Sequence, residues 1–205
     1  MNNRSRLLVS LAFLALFPVN GFADREAPPQ DFKVFSENKE YVFVNLIPSP
    51  ELLGIKIPII GIFSPIRMQY SQTGLYRNDG SKKPLWTLES GFGWNAEMFV
   101  SSDGKRLVVM GSWPRVWDDK DMEKDGVALR QPAIAFIAEG RVVKSYVIGD
   151  LAQNAKSFPI TVSHFEWCKT SRYVEAEKRL YLETHDKQKL VFSTETGEIV
   201  ERTKT

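Results

Sequence analysis

Apolar and polar residues along this chain change places in short runs, and nearly every run stops at a turn. The clearest case is Phe99-Val100-Ser101-Ser102-Asp103-Gly104-Lys105-Arg106-Leu107-Val108-Val109-Met110-Gly111. It reads as an apolar arrival, a Ser-Asp-Gly turn that tolerates positive φ, and a β-branched run, which is strand, turn, strand. Lys39 to Leu46 is a strand by its aromatic and β-branched content, with Ser36-Glu37-Asn38 as its entry turn. Gly74–Leu88 predicts a hairpin across Asn78-Asp79-Gly80, and Pro132–Ile148 predicts a second across Glu139-Gly140. Further strands are expected at Thr161 to Trp167, Arg179 to Thr184, Leu190 to Ser193 and Glu198 to Arg202, with turns at Asp186-Lys187 and Thr196-Gly197. One short helix is predicted, with Asp150 as N-cap and Gln153 as its capping-box partner, ending before Pro159.

Two stretches break the pattern. Leu52–Ile66 is apolar but punctuated by Gly54, Pro58, Gly61 and Pro65, which argues against a helix. It is either an irregular connection capping the core or an exposed loop for a partner or a membrane surface. Between Trp113 and Arg130 the periodicity gives way to Asp118, Asp119, Lys120, Asp121, Glu123, Lys124 and Asp125, which predicts a long surface loop. Leu107–Met110 and Ile134–Ile137 are apolar on both faces, as strands between two packed layers would be.

The N-terminus has the form of an export signal. Arg4 and Arg6 precede the apolar run Leu7–Val19, and Gly21-Phe22-Ala23 supplies small residues for cleavage. The run is short for a membrane span, which needs about 20 apolar residues. Residues 1–23 are therefore expected to be a cleaved signal, 24–31 a flexible leader, and 32–205 a single all-β domain. That signal removes two of 27 basic residues and no acid, leaving 25 basic against 25 acidic residues. A neutral chain has no basic footprint for nucleic acid. Cys168 is the single cysteine, so no internal disulfide staples an exported chain. It is either a small buried hydrophobe or a reactive thiol.

Three turn-plus-strand units align on a lysine, at Ser36–Phe43, Ser102–Val109 and Glu175–Leu182, with Lys39, Lys105 and Lys178 in register. Each is followed by a hairpin whose turn carries glycine, at Gly80, Gly140 and Gly197. A unit of three or four antiparallel strands entered by such a turn resembles a β-propeller blade of secreted and periplasmic repeat proteins. Propellers close with about 4 to 8 blades. Three units leave a hidden fourth, an open fragment, pairing with another copy, or a sandwich.

Candidate chemistry is sparse. On a period of two, His164, Glu166 and Cys168 share a strand face, a row able to hold a metal or act as an acid–base pair, but no further ligand or nucleophile completes it. Asp121, Glu123, Asp125 and Gly126 have the look of a calcium loop, yet Pro132 stands where its bidentate acid belongs. The aromatic group Trp94, Trp113, Arg115 and Trp117, with Asp119, opens the long loop and either plugs the core end or forms a recognition platform. Trp86 and Trp167 are expected in the core. No cofactor or metal is implied. The expected role is a non-catalytic binding module of the cell envelope, periplasmic or secreted, with a protein partner or self-association. Ligand binding on the loop tryptophans, or a hydrolase-like use of His164 and Glu166, are the alternatives.

Overall fold

The computed structural model describes residues 30–47, 64–89, 92, 96–111, 114–115, 119–123, 126–161 and 164–204, together with the backbone of Glu51–Leu52 and Ile55–Lys56. The expected signal, residues 1–23, and Trp94, Trp113 and Trp117 lie outside them.

The described chain is all-β. In order come β1 (Phe32–Phe35), β2 (Tyr41–Asn45), β3 (Glu51–Leu52), β4 (Ile55–Lys56), helix α1 (Pro65–Gln69), β5 (Gly74–Arg77), β6 (Trp86–Thr87), β7 (Glu97–Val100), β8 (Arg106–Met110), β9 (Pro132–Ala138), β10 (Arg141–Val147), helix α2 (Ile148–Leu151), β11 (Cys168–Val174), β12 (Arg179–Thr184), β13 (Gln188–Ser193) and β14 (Ile199–Lys204). Three antiparallel four-stranded sheets result, β1-β2-β5-β6, β7-β8-β9-β10 and β11-β12-β13-β14, and none closes into a barrel. The small β3–β4 hairpin and α1 are inserted between β2 and β5.

The second sheet is the middle layer, and its strands are apolar on both faces for that reason. Leu107, Val109 and Ile137 pack with Phe43 and Leu75 of the first sheet. Val108, Met110, Ile134 and Phe136 pack with Leu180, Leu182, Leu190 and Phe192 of the third. Phe136 and Tyr146 both meet the Phe192 ring with centroids 5.5 Å away. Each such fully buried side chain contributes about 1.5–3 kcal/mol by leaving water. The far face of the first sheet is covered too: Val42, Val44 and Tyr76 are packed with Leu46 and Tyr70, with Ile66 of α1 against them.

Turn chemistry ties the sheets together. Ser36 and Ser101 close matching turns: each Oγ accepts from the amide five residues on, Tyr41 and Arg106, and donates to Asn38 and Asp103. The left-handed position is Lys39 in the first turn, Gly104 in the second and Lys178 in the third. In the second turn the left-handed residue is thus Gly104, one position before Lys105. Asn38 Nδ2 donates to the Ser102 carbonyl at 3.0 Å, and the Trp86 indole N–H donates to the Gly104 carbonyl at 3.0 Å. Gly80, Gly140 and Gly197 all have positive φ, and each lies between the third and fourth strands of its sheet.

Several expectations are revised. Of the expected strand Thr161 to Trp167, the described residues 161 and 164–167 form no ladder: isolated bridges join Arg115 to His164 and Ile160 to Phe165, and regular pairing starts at Cys168. Asp150 is the third helical residue, not the N-cap; its Oδ2 accepts the Val147 amide at 2.9 Å, so α2 starts earlier. The 113–130 segment is not wholly solvated. It contains 3-10 turns at Asp119–Met122 and Ala128–Arg130, and Met122 and Ala128 join the core between the second and third sheets. The leader ends in an anchor: Asp31 forms a bidentate pair with Arg67 of α1 at 2.7 and 2.8 Å and accepts the Ile47 amide at 2.9 Å.

Candidate functional site

Two concave surfaces meet along β11, the edge strand of the third sheet. Its register slips between Cys168, opposite Thr184, and Thr170, opposite Glu183, which leaves Lys169 as a bulge. Bulges at sheet edges redirect side chains and discourage further strand pairing.

On one side of β11 is a crevice of about 220 Å³ between the ends of the second and third sheets, lined by Glu97, Gly111, Glu166, Trp167, Cys168 and Ser171 among others. Ser171 Oγ donates to Glu97 Oε2 at 2.7 Å across the two sheets, and the Trp167 indole N–H donates to the Gly111 carbonyl at 2.9 Å. Burial, then the Glu97 charge, pushes the Cys168 thiol up to about 12. A thiol that stays protonated at neutral pH is a weak nucleophile, so Cys168 acts here as a small packed side chain.

On the other side is the outer face of the third sheet, a shallow groove of about 510 Å³. Alternation along β12 builds it: Leu180, Leu182 and Thr184 point into the protein, while Arg179, Tyr181 and Glu183 are half-buried on the other side. Arg172 lies over the Tyr181 ring, 4.6 Å from its centroid, and the Tyr181 hydroxyl donates to Glu177. Lys169 Nζ reaches Glu183 at 2.7 Å. Val191 is half-buried between these ions.

The sequence-predicted residues are distributed differently. His164 is buried, with Nδ1 2.7 Å from Thr161 Oγ1, and its backbone is bridged to Arg115. The Arg115 amide donates to Gln131 Oε1 and its carbonyl accepts from Gln131 Nε2, at 2.8 and 2.6 Å. Glu166 is largely exposed and faces His185, whose Nε2 is 3.6 Å from its carboxylate. His185 is half-buried. The predicted face shared by His164 and Glu166 does not form: within 164–167, His164, Phe165 and Trp167 are buried and Glu166 is exposed, which breaks the alternation. Asp119 sits in a 3-10 turn; the platform tryptophans Trp94, Trp113 and Trp117 fall outside the described residues. Trp167 is fully buried and Trp86 half-buried against the core. Among the described residues, no three of His, Cys, Asp and Glu converge as a metal would require. None of the described helices is long and apolar enough to cross a membrane.

The outer-face residues Arg172, Tyr181, Glu183, Lys189 and Glu201 were not singled out by the sequence. Their period of two was visible there, but their placement side by side depends on strand register. No protein-family model matches the chain, and no curated protein matches its sequence.

Proposed function

We propose that this chain is an exported, non-catalytic interaction module of the cell envelope, built from three blade-like repeats and binding through the outer face of its third sheet. The observation that carries this reading is the uneven covering of the stack. Both faces of the second sheet are packed, and the first sheet is packed on both sides as well. The third sheet keeps an open face in which Tyr181 and Val191 lie among charged residues. Aromatic and aliphatic side chains ringed by ions are the make-up of recognition surfaces. The blade-like repeat is supported by the common strand order and by left-handed residues at matching turns. Export is supported by the basic, apolar and small-residue series of residues 4–23.

Two measurements test the reading. The protein recovered from the periplasm or medium should begin at Asp24; recovery with Met1 intact in the cytoplasm removes export. A photo-crosslinking side chain at Thr203 should yield one adduct of defined mass, while the same group at Lys82, on an exposed turn of the first sheet, should not. Equal or absent labelling at the two positions would sink the interaction surface.

A further inference from the structure

We infer that the outer face of the third sheet is a self-association surface, on which a second copy of this chain docks about a two-fold axis parallel to the strands. This rests on the interaction-module reading and names its partner. Two cross-strand rows line its groove, beside a third that holds Val174 and Arg179. Arg172, Tyr181, Val191 and Glu201 stand opposite one another across β11, β12, β13 and β14. One pleat further on, Thr170, Glu183, Lys189 and Thr203 form the second row in the same strand order. Read across the sheet, the first row is positive, aromatic, aliphatic, negative. The second is neutral, negative, positive, neutral.

Each row is its own complement when reversed. Rotation by 180° about an axis along the strands lays β11 of one copy over β14 of the other and β12 over β13, with each row kept at its own level. Arg172 then meets Glu201 of the second copy, Glu183 meets Lys189, Tyr181 meets Val191, and Thr170 meets Thr203, every pair occurring twice. An axis across the strands midway between these rows instead sets β11 over β11 and exchanges them, so Arg172 faces Thr170 and Val191 faces Lys189; moved to the first row, it sets Arg172 on Arg172 and Glu201 on Glu201. The charge order therefore selects the first arrangement. Two-fold contacts of one patch with itself are the commonest way a chain assembles.

The side chains are suited to it. Aligned sheets pack about 10 Å apart and about 30° off parallel, so the corner pair must span the largest offset, and Arg and Glu are long enough to do so. The guanidinium of Arg172 can stay stacked on Tyr181 while its edge donates to a carboxylate, because stacking uses its face and hydrogen bonding its rim. Glu183 already holds Lys169 on one side; Lys189 of the second copy approaches from the other. Head-to-tail stacking is blocked, because the first sheet's outward face is covered by Tyr70 and Ile66.

The test is the solution mass of the purified protein by sedimentation, with charge reversals that leave the buried residues untouched. The unsubstituted protein should sediment at twice the chain mass. Arg172→Glu and Glu201→Arg should each raise the dimer dissociation constant at least about tenfold, since each creates two like-charge contacts. Mixing these two variants should restore a dimer, because one then supplies two acids and the other two bases at the facing corners. The double variant on one chain should dimerise like the original, and circular dichroism checks that each variant is folded. A monomer at 100 μM for the unsubstituted protein, unchanged dimerisation of the single variants, or a mixture that stays monomeric would each overturn the inference. A monomer that crosslinks from Thr203 to a different protein overturns it while keeping the interaction-module reading.

Discussion

Alanine at Gly140 and at Gly80 asks the same backbone question in two surroundings. Both glycines have left-handed φ, +82° and +87°, and both sit between the third and fourth strands of a sheet. A Cβ at Gly80 meets nothing within 4 Å, so Gly80→Ala carries only the conformational penalty, about 1 kcal/mol. A Cβ at Gly140 would lie 2.5 Å from the Thr87 carbonyl oxygen of β6, a backbone atom of the neighbouring sheet. Relieving that contact means shifting the turn away from the first sheet, an overpacking cost of about 1–3 kcal/mol on top of the first. Gly140→Ala should therefore cost about 2–4 kcal/mol. For a chain of this length, 1 kcal/mol moves Tm by about 2–4 °C, so Gly80→Ala should lower it by a few degrees and Gly140→Ala by roughly 5–15 °C. Urea and thermal unfolding followed by tryptophan fluorescence would read both. If the two variants agree within about 0.5 kcal/mol, the glycine is not holding the second sheet against the first, and close docking through this turn is refuted.

Arg67→Ala should cost about 3–5 kcal/mol, because it strands the Asp31 carboxylate, 4 % exposed, without its partner; a loss below 1 kcal/mol in urea unfolding would remove the clasp. Burial alone would raise the Asp31 carboxyl, but Arg67, the Ile47 amide and Ser64 hold it below its ordinary 3.8. Its stabilisation is thus complete above the unfolded value and lost as pH falls through the lower folded one, and Asp31→Asn should flatten the acid limb of a urea-midpoint profile. Cys168, with its thiol raised to about 12 from 9.0, favours the folded state fully below pH 9 and loses that contribution as pH climbs toward 12. Its labelling by a thiol reagent at pH 8 should be slow until urea unfolds the chain; rapid labelling of the native protein would contradict the raised thiol.

What the sequence determined by itself was local. The alternation in Arg179–Thr184 fixed β12 to the residue, and Glu139-Gly140 marked the β9–β10 turn, where both residues take the positive φ of a type I′ turn. The double-sided apolar runs of β8 and β9 foretold a middle layer, since only a strand covered on both faces can leave no polar side. Tertiary structure decided what depends on distant partners. Phe165 and Trp167 are buried on irregular backbone, so the alternation that placed Glu166 beside His164 did not operate. Asp31 became an anchor through Arg67, 36 residues away. The rows of the third sheet exist because register sets four strands side by side, so that Arg172 and Glu201 stand at opposite ends of one line. Propensity and period act over a few residues and can be read from the chain. Register and layer packing depend on which surfaces meet, and only the folded chain fixes that.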